Sequence, residues 1–542
     1  LDVQARSLSA DRTRRALWTL GVSLVVALGL LLRLKGIHNP MLDHPGWRQG
    51  DEAAIARNFA TLQYNIFYPQ TDYNGAPPHY VELELQIVPF LAATFYKLFG
   101  VHEVAGRLIT IGFSLGTVAV IAFFGRWLFA SATAGLLAGL FYAVMPGSIY
   151  YGRTFTPDTV MVFFMTAALY ATSRLLIAQE RWRPRDVLWC TCLLTFALLA
   201  KPVAIVAFVP IVVLMAERAR AGRTFPPFSA AALICVPVAI LYAYDAAVGS
   251  HAEWHWASGI LTLHVLPALR DSFNDGAALL LKLERFRMML EVLADVMIGP
   301  ALAAAAIVGF LAPPATLRSR SLLGSWLAGG IAYVYVVVTV ERVDYYTFLT
   351  LPLAALAAAG LIARLIATVT HSTSSRRFKY ACAGLALVTF AAIVFQNTRI
   401  VAPYYAYSKA VYRNAAALNH DLAPGAIIVM AHYDPSVMYY IGRYGWEEDP
   451  YLWTIIDERS AIRKGSRYFI AIEKRRFHRN LELCAWMQRF PVAHAAGQWP
   501  VYVTDPKLVA PSAARQWRSF RKAQRAGNAR AWLDARGLCS IT

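Results

Sequence analysis

Charge is scarce in this chain. Only 16% of its 542 residues are Asp, Glu, Lys or Arg, against ~25% in an ordinary soluble domain, and 57% are hydrophobic. That scarcity excludes a soluble globular protein. Long apolar runs separated by short charged loops indicate a multi-pass membrane protein instead. Glycine-rich phosphate loops of the P-loop kind are missing, which leaves nucleotide hydrolysis unsupported. Cysteine is sparse: there are six, none at a zinc spacing. Cys190, Cys192, Cys235 and Cys382 fall in apolar runs and read as small core residues. Cys484 and Cys539 fall in polar sequence, where an extracytoplasmic setting would let them pair. Inverted repeats, matched pairs of broken helices and charges buried along a mid-membrane path are also lacking. A transporter would need them. No cleavable signal peptide is expected, because the first apolar run follows Arg12, Arg14 and Arg15 and is long enough to be a retained helix.

The formal net charge of +19 would raise nucleic acid as a partner in a soluble protein. Here the arginines of the first 380 residues sit mainly in short loops between apolar runs, and no nucleic-acid motif accompanies them. No nucleic-acid partner is expected. Membrane helices are expected at 16–34, 106–128, 133–150, 158–178, 186–200, 203–217, 228–246, 296–312, 321–340, 347–368 and 380–396. The basic loops then fall on the side of the basic N-terminus. They carry Arg126; Arg174, Arg181, Arg183 and Arg185; Arg218, Arg220 and Arg223; Arg318 and Arg320; Arg364, Arg376, Arg377 and Lys379. Lys/Arg bias makes that side cytoplasmic. Residues 35–105, the turn at 150–158, the bend at Lys201, 247–295, 341–346 and everything after about 397 face outward.

The expected fold class is therefore an α-helical polytopic membrane protein of about eleven transmembrane helices with a small C-terminal extracytoplasmic α/β domain. The expected division is 1–399 for the membrane domain, including a first outer loop at 35–105, and 400–542 for the soluble domain. In the loop, 51–62 and 81–99 read as surface helices, with Tyr64 to Pro78 as loop between them. In the C-terminal domain, 426–431, 467–473 and 498–505 read as strands. PSVMYYIGR and ERSAIRK read as helices. The basic tail from Arg515 to Arg536 reads as a helix whose cations are either solvated or in contact with anionic lipid headgroups.

Polar groups collect on the outer side. GWRQGDEAAIARNF, Gly46 to Phe59, carries adjacent carboxylates at Asp51 and Glu52. An acid pair at a helix start suits the helix dipole, and it equally suits a catalytic base or metal ligands. YYGRTFTPD contains Asp158, a helix-start acid, and Arg153, a cation suited to phosphate. Lys201 interrupts FALLAKPVAIVAF. Such a lysine snorkels, pairs with an anion or binds phosphate. ERVDYYTFLTLP carries Arg342 and Tyr345, with Asp344 placed to neutralise Arg342. Glu82, Glu84, His79, His251 and His255 complete the outer set. His251 and His255 suit zinc only if a helix forms there. Carboxylates and separated cations on one face suit transfer from a phosphate-linked donor: the acid takes the proton of an attacking hydroxyl and the cations stabilise the leaving phosphate.

These motifs in this order, together with VELELQIVPFLAATFYKLFGVHEVAGRL, LLAKP and HYDPSVMYYIGRYGW (432–446), resemble the GT-C membrane glycosyltransferases. The likeness is to bacterial proteins like the protein O-mannosyltransferases and the lipid A aminoarabinose transferase. The resemblance implies Asp51 as the general base, Glu52 as its neighbour, Asp158 as a second outer acid, and Lys201 and Arg342 near the donor phosphate. Arg153 is added to the phosphate ligands from its chemistry. Arg48, Gln49, Tyr345 and Glu82 are assigned to substrate binding. The implied donor is a polyprenyl-phosphate monosaccharide, transferred with inversion to a lipid, glycan or protein hydroxyl. The implied setting is the bacterial inner membrane, with the site and C-terminal domain facing the periplasm or exterior. Some members carry a divalent metal, the one cofactor the resemblance raises. The stretch WRQGD departs from the pattern of the two named groups and leaves sugar and acceptor open. The competing expectations are a lipid-linked sugar flippase or transporter, and a glycan ligase or polymerase using a pyrophosphate-linked donor.

Overall fold

The computed structural model describes residues 2–179, 183–223, 226–493 and 498–540. Arg181 lies outside them. The chain forms two compact units, Leu1–His38, Glu82–Phe95 and Val104–Tyr405 in the first, and Asn39–Val81, Tyr96–Glu103 and Ala406–Thr542 in the second.

The first unit is a helical bundle, and every expected membrane segment is helical. Among the described residues eight helices are long and apolar enough to cross a bilayer alone: Arg12–Arg33, Glu103–Leu128, Asp158–Ala178, Pro202–Arg220, Pro227–Gly249, Arg320–Glu341, Asp344–His371 and Arg376–Ile400. A ninth, Gly276–Ile298 with Pro300–Leu311, is bent by 110°. The bend falls at Gly299, whose φ is 88°. A Cβ there would come within 2.5 Å of the Asn397 Oδ1, so both backbone and space require glycine. The other two of the expected eleven are shorter. The 133–150 segment breaks before Pro146 into Ala132–Val144 and Pro146–Tyr151, and 186–200 is the 17-residue helix Pro184–Ala200. Arg33 ends the first helix fully buried. It donates to Ser114 Oγ at 2.8 Å, Ser148 Oγ at 2.6 Å and the Gly29 and Ala143 carbonyls, which is how a cation is tolerated there.

In the second unit a five-stranded sheet runs in the order Tyr444–Glu447, Ile427–Met430, Ser466–Ile470, Val501–Val503, Val492–Ala493. The first three strands are parallel and the rest antiparallel. Alternation along the central strands splits the core. Val429, Phe469 and Tyr502 pack with Trp486, Phe520 and Leu533, while Ile428, Met430, Ile470 and Val501 pack with Leu418, Val437, Met438 and Ile441. The basic tail is two helices, Pro511–Arg525 and Ala529–Asp534. Phe520 is buried in the core and Arg515, Arg518, Lys522 and Arg525 lie exposed. Cys484 and Cys539 form a disulfide that closes this end of the unit across a sequence separation of 55. Breaking it with a Cys484→Ala, Cys539→Ala pair is expected to cost about 3–4 kcal/mol. The unfolding midpoint of the full-length protein with and without reductant checks this.

Two differences from the sequence expectations matter for the site. The division is not linear at 399/400, because much of the first outer loop folds with the C-terminal residues. Gly75 N donates to the Gly445 carbonyl at 2.7 Å, Gly445 N to Asp72 O at 3.1 Å, and Tyr444 Oη to Asn58 Oδ1 at 3.0 Å. The expected surface helix at 81–99 begins only at Ile87. Val81–Glu82 instead pairs as a strand with Trp254–His255, the structure its alternating VELEL pattern favours.

Candidate functional site

In the second unit the helix Gly46–Thr61 starts earlier than the expected 51. Asp51 and Glu52 therefore sit in its second turn, beyond the reach of the N-terminal dipole, and the helix-starting role falls away. Gly50 lets this helix lie directly on Pro435–Ile441, since a Cβ there would be 2.4 Å from Ser436 Cα. Asp51 is thereby carried into the interior, 5% exposed. Burial pushes its carboxyl up to about 7, with Asp434 and Asp72 adding to the rise while Arg48 and a hydrogen bond from Tyr73 oppose it. Its Oδ1 is closed off from solvent with no hydrogen-bond partner. Glu52 instead pairs with Arg48 at 2.9 Å, one helical turn away. Gln49 donates to Asp43 Oδ1 at 2.8 Å and to the Asp43 carbonyl at 3.1 Å, holding the approach to the helix. Of these three, Arg48 acts on Asp51 through its charge.

In the first unit Lys201 marks a helix break. The residue before Pro202 is forced out of the helical region, and Lys201 has φ −166° and ψ 123°. Lys201 is 8% exposed, its side chain paired inside the fold. Nζ donates to Asp158 Oδ1 at 2.6 Å and lies over the rings of Tyr346 at 4.2 Å and Tyr345 at 5.3 Å. Asp158 Oδ2 is buried without a hydrogen-bond partner. Arg342 occupies the left-handed region at φ 52° and is exposed, a strained conformation of the kind that collects at functional turns. Asp344 does not serve as its counter-ion in the expected way. It accepts from Tyr151 Oη at 2.7 Å and from Tyr404 Oη. Arg153 is fully buried, donates to the Gly36 carbonyl at 3.0 Å and stacks over Tyr150 and Tyr405 at 4.7 and 4.6 Å. These contacts hold the guanidinium inside the fold. Glu82 accepts from Ser258 N at 3.3 Å and Ser258 Oγ at 3.2 Å. Burial and a hydrogen bond with Asp245 push its carboxyl up to about 8.

Several participants carried no signal of their own in the sequence. Tyr73, Asp434 and Glu447 surround Asp51, and Tyr346 and Asp245 join the first-unit groups. Asp434 lies within the 432–446 motif and Glu447 directly follows it, but nothing in that stretch sets an acid apart. Among the described residues no three His, Cys, Asp or Glu side chains converge as metal ligands. His251 and His255 are not on a helix, since 254–255 is a strand.

The family model described as dolichyl-phosphate-mannose-protein mannosyltransferase matches residues 86–243. No curated protein matches the sequence. Among solved structures the chain is similar to ArnT from Cupriavidus metallidurans in the apo state, with 13% identity, TM-score 0.60 and coverage of 92% of this chain and 100% of that one. ArnT from the same organism bound to undecaprenyl phosphate matches at 14% identity, TM-score 0.56, with 90% and 99% covered. The oligosaccharyltransferase AglB from Archaeoglobus fulgidus, in complex with an inhibitory peptide and a dolichol-phosphate, matches at 11% identity, TM-score 0.52, with 92% and 75% covered.

Proposed function

We propose that this chain, which has the GT-C membrane glycosyltransferase fold, moves a monosaccharide from a polyprenyl-phosphate donor to an acceptor hydroxyl at the outer face of a bacterial inner membrane. The observation that carries the reading is Asp51, a buried carboxyl with an unpartnered oxygen whose proton affinity sits near neutrality. A general base works best when its pKa lies near the working pH. The donor class is taken from the ArnT structure of the same fold bound to undecaprenyl phosphate.

In this reading the acceptor hydroxyl gives its proton to Asp51 as its oxygen bonds to the sugar carbon. The bond from that carbon to the phosphate oxygen breaks, and the sugar inverts. Lys201 and Arg342 stabilise the departing lipid phosphate, with Asp158 holding Lys201 in place. Tyr345 lines the lysine, and Glu82 orders the neighbouring outer segment. The Cys484–Cys539 disulfide suits an oxidising outer compartment. Asp51 acts only when ionised, so kcat/KM is expected to fall about tenfold per pH unit below about 7 and to level off above it. A pH–rate profile of the reconstituted protein checks this.

A second reading, transfer of a pyrophosphate-linked oligosaccharide, is favoured only by the likeness to AglB. Native mass spectrometry of the purified protein separates the two. A co-purified single-phosphate polyprenyl lipid, with turnover when its glycosylated form is supplied, is the expected result. A pyrophosphate-linked oligosaccharide would overturn the monosaccharide reading.

A further inference from the structure

The sheet of the second unit has an end to which no role has yet been given. Its three parallel strands lie in the order second, first, third along the chain: Tyr444–Glu447, Ile427–Met430, Ser466–Ile470. The chain leaves Ile427–Met430 through the helix Pro435–Ile441 toward one neighbour, then crosses through Ile455–Arg463 to the other. The two helices pack on opposite faces of the sheet, the first through Val437, Met438 and Ile441, the second through Ala461. Connections that part in this way leave a crevice outside the carboxyl ends of the two strands between them, where open α/β sheets bind ligands. His432 follows one of these strands and Glu473 the other, and His432 Nδ1 meets Glu473 Oε1 at 3.0 Å. Tyr433, next in the chain, is 64% exposed. The helix that carries Asp51 reaches the same end: a Cβ on Gly46 would lie 3.7 Å from Asp434 Oδ2, and one on Gly50 2.4 Å from Ser436 Cα.

We propose that this carboxyl edge is a saccharide site, at which the second unit receives a glycan acceptor through His432, Glu473 and Tyr433. Its role as the acceptor site rests on the transferase reading above. A carboxylate has no proton to give, so His432 Nδ1 carries the hydrogen of the pair, and the neutral ring keeps Nε2 as an acceptor. Glu473 accepts through Oε1 and keeps Oε2. Arg476, one helical turn beyond Glu473, is committed to Asp449, with Nε 2.8 Å from Oδ1. The pair therefore offers acceptors, and its ligand must bring donors. A phosphate brings none. A sugar ring brings hydroxyls on neighbouring carbons, which an ionised carboxylate holds more strongly than a neutral acceptor does. The side chains of His432 and Glu473 are 21% and 39% exposed, so the fold fixes both and leaves both within reach. The exposed Tyr433 ring adds a flat apolar face for the C–H side of the sugar. A glycan held at this edge lies beside the helix of the candidate base, and among lipid, glycan and protein acceptors the edge selects the glycan.

The test is titration of the full-length protein in nanodiscs with a panel of short neutral and amino oligosaccharides, beside a peptide containing Ser and Thr and a short-chain diacylglycerol. Wild type is expected to bind a saccharide and neither of the others. Glu473→Gln should raise the saccharide Kd about tenfold, the loss of a charge-assisted hydrogen bond. Tyr433→Ala should raise it about 3–10-fold. Both variants should still retain undecaprenyl phosphate in native mass spectrometry, and Asp51→Asn should bind the saccharide as wild type does. Failure of wild type to bind any saccharide, preference for the peptide or the diacylglycerol, or unchanged affinity in Glu473→Gln and Tyr433→Ala would overturn the proposal. Should Glu473→Gln fail to fold, Tyr433→Ala, at an exposed position, decides alone. A saccharide that binds and is weakened by these variants, yet receives no sugar from a glycosylated polyprenyl phosphate, would overturn the transferase reading and leave the saccharide site standing.

Discussion

Asp51→Asn is expected to lower glycosyl transfer by about 10²–10⁴-fold while the protein inserts and folds as before. The substitution keeps shape and removes only the proton-accepting oxygen. Asp51 is buried, and burial is the largest cause of its raised proton affinity. The folded state already resists its charge, so a neutral amide costs nothing that the carboxylate supplied. The Tyr73 hydroxyl, which bonds Asp51, can donate equally to the amide oxygen. The effect should therefore appear in kcat with the melting temperature unchanged or higher. Glu52→Gln is the useful contrast. It removes the ion pair with Arg48 at 2.9 Å inside the fold and is expected to lower stability more than it lowers kcat. Full activity in a folded Asp51→Asn protein would remove the base assignment.

Much of the architecture was legible because a bilayer imposes one signal that needs no partner: a run of apolar residues long enough to cross it. All eleven expected segments are helices, and the disagreements occur where Pro146 and Gly299 break or bend them. The C-terminal strands at 427–430, 466–470 and 501–503 were visible as β-branched and aromatic runs, whereas Tyr444–Glu447 was hidden by Gly445. The candidate site was legible one residue at a time. Lys201 stood out because it interrupts an apolar run, and Asp51 as one of two adjacent carboxylates in a motif the resemblance picks out. Their partners did not. Tyr73, which hydrogen-bonds Asp51, lies beside a ladder joining residue 75 to residue 445, and no local periodicity encodes a pairing across that separation. Arg153 was legible only by its chemistry, whereas the carbonyl and two rings that hold its guanidinium come from residues distant or unmarked in the sequence.

Lys201→Ala is expected to raise the donor KM about 10–100-fold, the worth of one charge-assisted contact to phosphate, and to change the acceptor KM far less. The single substitution does not isolate that effect. Lys201 Nζ lies 2.6 Å from Asp158 Oδ1, and Asp158 is 1% exposed. Removing the lysine leaves a carboxylate buried and unpaired, which costs about 3–5 kcal/mol of stability. A misfolded protein would lose activity for that reason alone. The double substitution Lys201→Ala with Asp158→Asn removes both charges and should recover most of the lost stability. The donor KM, by contrast, should stay raised, because neutralising Asp158 restores no cation to the phosphate. Stability and donor affinity then separate in one cycle of four proteins. Recovery of both together in the double variant would make the Lys201–Asp158 pair a packing feature of the helix break, leaving Arg342, exposed and held in a left-handed turn, as the cation for the phosphate.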